Sequence, residues 1–152
     1  MRRWHRVVLS AALLLAGCAS KAPPPKFVHF DVGADRPRSE DDTVQIGLAV
    51  SALQHEPRLK AAVIGYASSE GTEAENKKLS FRRAEHVRDL IVRNGIAVDR
   101  LTIAARGIAD PAGPNDTEEG RAKNRRVEVF FYDPGRGELQ AQYGVKIEVQ
   151  AH

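Results

Sequence analysis

The sequence predicts an α+β domain in which a four-stranded mixed sheet carries two main helices on one face. Strand-like and helix-like segments alternate in the order β-α-β-α-β-(α)-β between residues 27 and 132. Two of the intervening segments are long enough for full helices, and RVEVFFY at 126–132 alternates as a half-buried strand does. Because strand-helix-strand units need crossover connections, some neighbouring strands are expected to be parallel.

The first half of the domain contains a strand, a helix and a second strand. FVHFDV at 27–32 is rich in apolar residues, and LKAAVIGY at 59–66 forms the second strand. Between them a helix is predicted from about Glu40 to Gln54, with Ser39 as its N-cap and acidic residues in its first turn. Pro57 prevents its continuation. We expect its buried face to contain the apolar residues at helical spacing: Val44, Leu48, Ala52 and Leu53.

The second half begins with the polar loop ASSEGTEAEN and a long helix. This helix is predicted from about Glu75 to Arg93 and stops at Asn94-Gly95. LTIAARG at 101–107 is the third strand, a short helix is expected within 117–124, and the fourth strand covers 126–132. The long helix is expected to bury four apolar residues: Leu79, Val87, Leu90 and Ile91.

The N-terminus has the pattern of an export signal. MRRWHR is followed by the short apolar run VVLSAALLLAG, which is too short to remain as a membrane-spanning helix. The run ends at Leu15-Ala16-Gly17-Cys18, which resembles the lipobox of bacterial lipoproteins. In that family the preceding peptide is removed and the cysteine is acylated, with palmitate as a typical chain. The resemblance implies a signal peptide at 1–17 and lipid attachment at Cys18.

The lipobox also predicts a location and a domain plan. Ala19, in place of aspartate, resembles lipoproteins sent to the outer membrane, so we expect the domain to face the periplasm there. Residues 18–26 then form a lipidated, proline-rich tether, and 27–133 form the domain. In the C-terminal extension at 134–152, the apolar residues Val145, Ile147 and Val149 alternate and predict a possible extra edge strand.

Removal of the signal peptide changes the charge of the chain. The full sequence has 23 Lys and Arg against 20 Asp and Glu, and three arginines precede Cys18 without any acidic residue. The processed chain therefore has 23 − 3 = 20 basic and 20 acidic residues and is formally neutral. A neutral exported chain lacks the basic excess typical of nucleic-acid binding, so we expect no nucleic acid partner.

Several short motifs occur in order along the domain: FD, GYxxxxGTxxxN, LSxxRA, NGIxxxRL, GxxxP and EGRAKNRRVEV. Together they resemble the OmpA-like domain, the peptidoglycan-binding module found in outer-membrane protein A and peptidoglycan-associated lipoprotein of Gram-negative bacteria. The resemblance covers about Phe27 to Tyr132. It implies an OmpA-like two-layer fold and a site for the diaminopimelate residue of a peptidoglycan stem peptide.

The resemblance also assigns roles to residues. Arg83, in the LSxxRA motif, is expected to bind the diaminopimelate carboxylate through a charge-assisted fork. The aspartate that takes the ammonium in typical members aligns with Ser68. Asp31 resembles a second acidic contact of the family, Asn76 matches an asparagine that helps to hold the ligand backbone, and Leu79 is expected to wall the pocket.

Ser68 is the main departure from the family pattern, because a hydroxyl supplies no negative charge. Hydrogen bonds to charged groups contribute about 1.5–3 kcal/mol, against roughly 1 kcal/mol for neutral ones. The substitution is therefore expected to cost about tenfold or more in affinity unless another acid compensates. Glu70 and Glu73, in the same loop, are the candidates.

Each assignment has a structural alternative. Arg83 could pair with Glu75 or Glu119 on the surface, where an ion pair contributes little. Asn76 could be only a helix cap, while Ser68 and Asp31 could be only turn residues.

Two functions therefore remain open. One is a tether that links the outer membrane to peptidoglycan. The other is a structural subunit of an envelope-spanning assembly, such as a secretion system or motor, whose site has weakened or been lost and whose partners are envelope proteins. Catalysis is not expected, since the sequence lacks a nucleophile elbow and a glycine-rich phosphate loop. No cofactor is implied, and the histidines show no metal-ligand spacing.

Overall fold

The structure, a computed structural model, describes residues 22–136. The proposed signal peptide, Cys18 and the alternating segment at 145–149 lie outside the described residues. Within 22–136 the chain forms four strands, three α-helices and two short 3₁₀ turns. Their bounds are β1 Lys26–His29, α1 Glu40–His55, β2 Lys60–Tyr66, α2 Glu73–Arg93, β3 Leu101–Gly107, α3 Glu118–Asn124 and β4 Arg126–Tyr132, with the 3₁₀ turns at Val98–Arg100 and Pro134–Arg136.

The strands form one mixed sheet in the order β1-β4-β2-β3. The strands β2 and β3 are parallel, as the α2 crossover requires, and β4 runs antiparallel to both β1 and β2. The carboxyl ends of β2 and β3 therefore lie at the same edge of the sheet. The predicted α+β fold with a mixed sheet is confirmed.

The main core lies between the sheet and the helices α1 and α2. It joins apolar residues of three strands to the inner faces of both helices, including Val28, Val63, Val127, Leu53 and Val87. A second, smaller cluster lies on the opposite face of the sheet and centres on Ala62, Ile64, Tyr66 and Ala104. No described helix is long and apolar enough to cross a membrane.

The predicted buried face of α1 was wrong at two positions. Val44 is 56% exposed and Leu48 is 45% exposed, whereas the buried residues of α1 are Asp42, Ile46, Ala49, Val50 and Leu53. Apolar residues surround most of this helix, so their spacing alone did not determine which side faces the sheet.

A buried carboxylate sets the orientation of α1. Asp42 accepts hydrogen bonds from the backbone N–H of His29 at 2.8 Å and from the Ser39 hydroxyl at 2.6 Å. Burial acts to raise the pKa of Asp42, but the hydrogen bonds from Ser39 and His29 outweigh it and lower that pKa. Ser39 is also the N-cap of α1, as predicted. This contact ties the start of α1 to the end of β1.

Helix α2 lies unusually close to β2 at one glycine. A Cβ atom built on Gly65 would lie 1.9 Å from the backbone oxygen of Ser80, a separation that real Cβ atoms do not reach. The Ser80 hydroxyl in turn accepts a hydrogen bond from the backbone N–H of Gly107 at 3.0 Å. These contacts fix the height of α2 above the edge of the sheet where the strands end.

We predict that Gly65→Ala strongly destabilises the domain, by about 3 kcal/mol or more, because α2 must move away from β2 to accommodate the methyl group. Urea denaturation measures the effect. Gly47→Ala on α1 is the matched control, since a Cβ atom there meets nothing within 4 Å. It should stabilise the helix by up to about 1 kcal/mol. Equal stability of Gly65→Ala and the wild type would refute the close approach.

Candidate functional site

A cavity of about 450 Å³ lies where β2 leads into α2. Its walls come from four separate segments, namely the loop after β1, the loop after β2, the first turns of α2 and the residue before β4. The lining residues are Val32, Gly33, Ser68, Glu70, Gly71, Glu75, Asn76, Lys78, Leu79, Arg82, Arg83 and Arg125.

The fold brings four of the predicted site residues together. Ser68 follows the end of β2, while Asn76, Leu79 and Arg83 are spaced i, i+3 and i+7 along α2 and so share one helix face. A capping box starts α2 at Thr72, whose hydroxyl accepts from the Glu75 backbone N–H while the Glu75 carboxylate accepts from the Thr72 backbone N–H. This cap fixes where the helix face begins.

Arg83 forms the buried base of the cavity. It is fully buried, and its guanidinium donates to three backbone carbonyls: Ala34 at 2.8 Å, Tyr66 at 3.1 Å and Asp31 at 3.0 Å. It therefore links α2 to the loop after β1 and to the end of β2. The alternative of a surface ion pair with Glu75 or Glu119 was wrong.

The charge of Arg83 is held in a site that disfavours it. Burial, followed by the neighbouring charge of Arg125, lowers the pKa of Arg83 to about 10. The guanidinium carbon also lies 5.1 Å from the centre of the Phe30 ring, a cation–π contact. A pKa of about 10 leaves the guanidinium positively charged at neutral pH.

Ser68 is buried and positions an acid. Its hydroxyl donates to Oε2 of Glu70 at 2.8 Å, and Arg125 donates to the same oxygen at 3.3 Å. The other oxygen of Glu70, Oε1, lies 3.7 Å from Nε of Arg121, beyond hydrogen-bond distance. Glu70 therefore lines the cavity as a carboxylate held mainly through one oxygen.

Asn76 is buried on α2 and lines the cavity. Its amide nitrogen Nδ2 has no hydrogen-bond partner among the described residues. The alternative of a helix cap was wrong, because Thr72 caps α2 and Asn76 lies within the helix. A buried amide donor without a partner costs about 1–3 kcal/mol, and an acceptor that reached Nδ2 of Asn76 would remove this cost.

Two of the predicted acids do not line this cavity. The side chain of Asp31 is exposed, and its contribution is the backbone carbonyl that accepts from Arg83. Glu73 lies at a different cavity of about 300 Å³, beside Lys77 and Arg106. Of the two loop acids considered as compensation, only Glu70 lines the main cavity.

Three cations of the lining were not predicted: Lys78, Arg82 and Arg125. Arg125, just before β4, and Lys78 and Arg82, which precede Leu79 directly and follow it by three residues, were visible as basic residues, but sequence position alone did not place them in a cavity. With Arg83 they make four cationic side chains against two acidic ones, Glu70 and Glu75. The lining therefore favours a ligand with a net negative charge.

We predict that Arg83→Met lowers the free energy of unfolding by about 3 kcal/mol or more. The three backbone carbonyls lose their donor, and each buried acceptor left without a partner costs about 1–3 kcal/mol. Urea denaturation measures the effect beside Arg82→Met, an exposed neighbour expected to change stability by less than about 0.5 kcal/mol. Equal unfolding midpoints for the two variants would contradict the structural role of Arg83.

The chain is similar to several known proteins over about half or more of its length. It is 41% identical over 73 residues to the peptidoglycan-binding protein ArfA of Mycobacterium bovis, which covers 48% of this chain and 22% of that protein. It is 33% identical over 105 residues to the probable lipoprotein YiaD of Escherichia coli, which covers 69% of this chain and 48% of that protein. The first curated relatives are matched over 30% to 52% of their own length.

The fold is also similar to the folds of solved structures. The peptidoglycan-associated lipoprotein from Burkholderia pseudomallei superposes with a TM-score of 0.67 at 21% identity, over 70% of this chain and 90% of that one. The OmpA family profile matches residues 33–125, which include the whole of α2 and most of the lining of the cavity. This match covers more than half of the chain, and the chain belongs to the OmpA family.

Proposed function

We propose that the domain binds peptidoglycan non-covalently, with a stem peptide in the cavity around Arg83. The observation that carries this proposal is a cavity with a cationic lining built on the family motif, whose buried Asn76 amide has no partner among the described residues. A stem peptide presents free carboxylates and backbone carbonyls, which match these donors. A relative that matches 48% of this chain at 41% identity is named as a peptidoglycan-binding protein, which supports the proposal.

Arg83 supplies the deepest contact for a diaminopimelate carboxylate. A guanidinium has five N–H donors, and three of them bind backbone carbonyls, which leaves two for a ligand. Because Arg83 has no exposed surface, the carboxylate reaches it when the loop carrying Asp31 and Ala34 shifts. In the proposed complex the carboxylate accepts charge-assisted hydrogen bonds from these two remaining N–H groups.

The other lining residues assist this contact. Asn76 donates its unpartnered N–H to a backbone carbonyl of the stem peptide, and Leu79 packs against the aliphatic part of the ligand. Ser68 acts through Glu70, and Asp31 acts through the backbone carbonyl that accepts from Arg83. Lys78 and Arg82 attract the acidic peptide to the mouth of the cavity.

The proposed role of the whole chain is a tether without catalytic activity. The lipobox at Cys18 anchors the chain in the outer membrane through acyl chains, and residues 18–26 connect the anchor to the domain on the periplasmic side. A relative that matches 69% of this chain is named as a probable lipoprotein, which supports the proposed lipid anchor. The domain then holds the cell wall close to the membrane.

We predict that Arg82→Ala weakens binding to diaminopimelate-containing sacculi by up to about fivefold, the effect of losing one exposed charge contact. Co-sedimentation of residues 18–152, with Cys18→Ser to prevent lipidation, measures binding. Arg58→Ala is the matched control. Each arginine is more than half exposed and forms one ion pair at 3.8 Å, Arg82 with Asp35 and Arg58 with Asp133, but only Arg82 lines the cavity.

Because both variants change the net charge equally, a general electrostatic attraction to the wall would weaken binding equally in both. That result would contradict binding at the cavity. Absence of binding by the wild type would contradict the proposed function itself and would favour a protein partner in an envelope assembly.

We also predict that Asn76→Leu separates stability from binding. Replacing a buried amide that lacks a partner by an apolar side chain should leave the free energy of unfolding unchanged or raise it by about 1 kcal/mol. The same change should weaken sacculus binding by about tenfold, because the ligand loses its hydrogen-bond donor. Urea denaturation and co-sedimentation test the two effects, and undiminished binding would exclude Asn76 from the site.

A further inference from the structure

We propose that Glu70 is the acid that binds the ligand ammonium, with Ser68 as the residue that positions it. This inference rests on the proposed function and specifies which stem peptides the site prefers. A hydroxyl at position 68 does not empty the site of negative charge, because the carboxylate two residues further along the loop lines the same cavity. In this chain the acid therefore lies two residues after position 68 and still lines the cavity.

The geometry of Glu70 suits this role. One oxygen, Oε2, is fixed by the buried Ser68 hydroxyl at 2.8 Å and by Arg125 at 3.3 Å. The other oxygen, Oε1, accepts no hydrogen bond from the described residues, and its nearest cation is Arg121 at 3.7 Å. The side chain is 41% exposed, so a ligand ammonium can reach Oε1, which has an ion-pair contact but no hydrogen bond. A carboxylate with one oxygen anchored by hydrogen bonds is already oriented before the ligand arrives.

The other acid of the lining, Glu75, already binds the N-terminus of α2. Glu75 forms the capping box of α2, where its Oε2 accepts from the backbone N–H of Thr72 at 2.9 Å and from the Thr72 hydroxyl at 2.7 Å. These hydrogen bonds lower the pKa of Glu75 and hold its carboxylate at the helix end. Glu70 is therefore the lining carboxylate with an anchored position and no role in secondary structure.

Arg125 does not fully neutralise Glu70, because Arg125 also forms an ion pair with Glu118. It donates to Glu118 at 2.6 Å, a shorter contact than the 3.3 Å that separates it from Glu70. The hydrogen bonds from Arg125, and after them those from Arg121, lower the pKa of Glu118. Glu118 therefore satisfies much of the charge of Arg125, and Glu70 keeps negative charge for a ligand cation.

This arrangement predicts which stem peptides bind. A diaminopimelate residue with a free side-chain amine presents an ammonium to Oε1 of Glu70, whereas an acylated amine, as in a cross-link, presents a neutral amide. The site should therefore prefer stem peptides that are not cross-linked through this amine. Losing a charged hydrogen bond of this kind corresponds to about tenfold in affinity.

The test compares two ligands by isothermal titration calorimetry on residues 18–152 with Cys18→Ser. One is the tripeptide L-Ala-γ-D-Glu-diaminopimelate, and the other is the same tripeptide acetylated on the side-chain amine. The wild type should bind the free amine about tenfold more tightly. Glu70→Gln should bind both tripeptides equally. Glu119→Gln is the matched control, since it removes an acid of α3 whose ion pair is with Lys123 and which does not line the cavity, and it should keep the preference.

A double variant tests the ammonium-binding role of Glu70 by a gain of ligand preference instead of a loss. Ser68→Asp combined with Glu70→Gln moves the acid back to position 68 and should restore the preference for the free amine. In contrast, Ser68→Asp alone places two carboxylates side by side, and their repulsion should lower stability. Circular dichroism checks that each variant is folded.

The outcomes separate this inference from the proposed function. If the wild type binds both tripeptides equally, or if Glu70→Gln keeps the preference, Glu70 is not the ammonium acceptor and the inference fails, while stem-peptide binding stands. If the wild type binds neither tripeptide nor sacculi, the proposed function fails and the inference fails with it.

Discussion

The fold and the site both depend on one buried guanidinium. Arg83 extends from α2 and donates to backbone carbonyls on the loop after β1 and at the end of β2, so one side chain joins three segments that are distant in sequence. Among the described residues no carboxylate accepts a hydrogen bond from it, and its charge is stabilised by three backbone carbonyls, the Phe30 ring and the more distant charge of Asp35. Burial of this charge costs free energy, as the lowered pKa of Arg83 indicates. A ligand carboxylate would recover part of that cost, which connects a structural role to binding.

The distribution of charge around the cavity follows from this constraint. A cation at the base favours an anionic ligand, and a ligand that also carries an ammonium is best matched by an acid at a fixed distance from that cation. In the proposed complex this acid is Glu70, which the structure holds through Ser68 and an ion-pair network of Arg121, Arg125 and Glu118. The network lies on α3 and just before β4, so the short third helix contributes to the site although it contributes little to the core.

Sequence reasoning identified the fold and the order of the elements, because periodicity and short motifs encode them locally, and the family resemblance singled out Asn76 and Arg83. It failed where the answer depended on contacts between distant segments. The exposure of Val44 follows from Asp42, whose burial requires partners on β1. The anchoring of Glu70 likewise requires Arg125, 55 residues away. A side chain that acts through a partner so distant leaves no local pattern.

The most direct test of stem-peptide binding in the cavity is an NMR titration of the ¹⁵N-labelled chain, residues 18–152 with Cys18→Ser, with the free-amine tripeptide. Binding in the cavity predicts the largest shifts at the Asn76 side-chain amide, at Nε–H of Arg83 and at the backbone N–H groups of Ser68 and Glu70. These groups lie on different segments and meet only at the cavity. Shifts confined to the exposed apolar side of α1 around Leu48, or no shifts at saturating peptide, would contradict it.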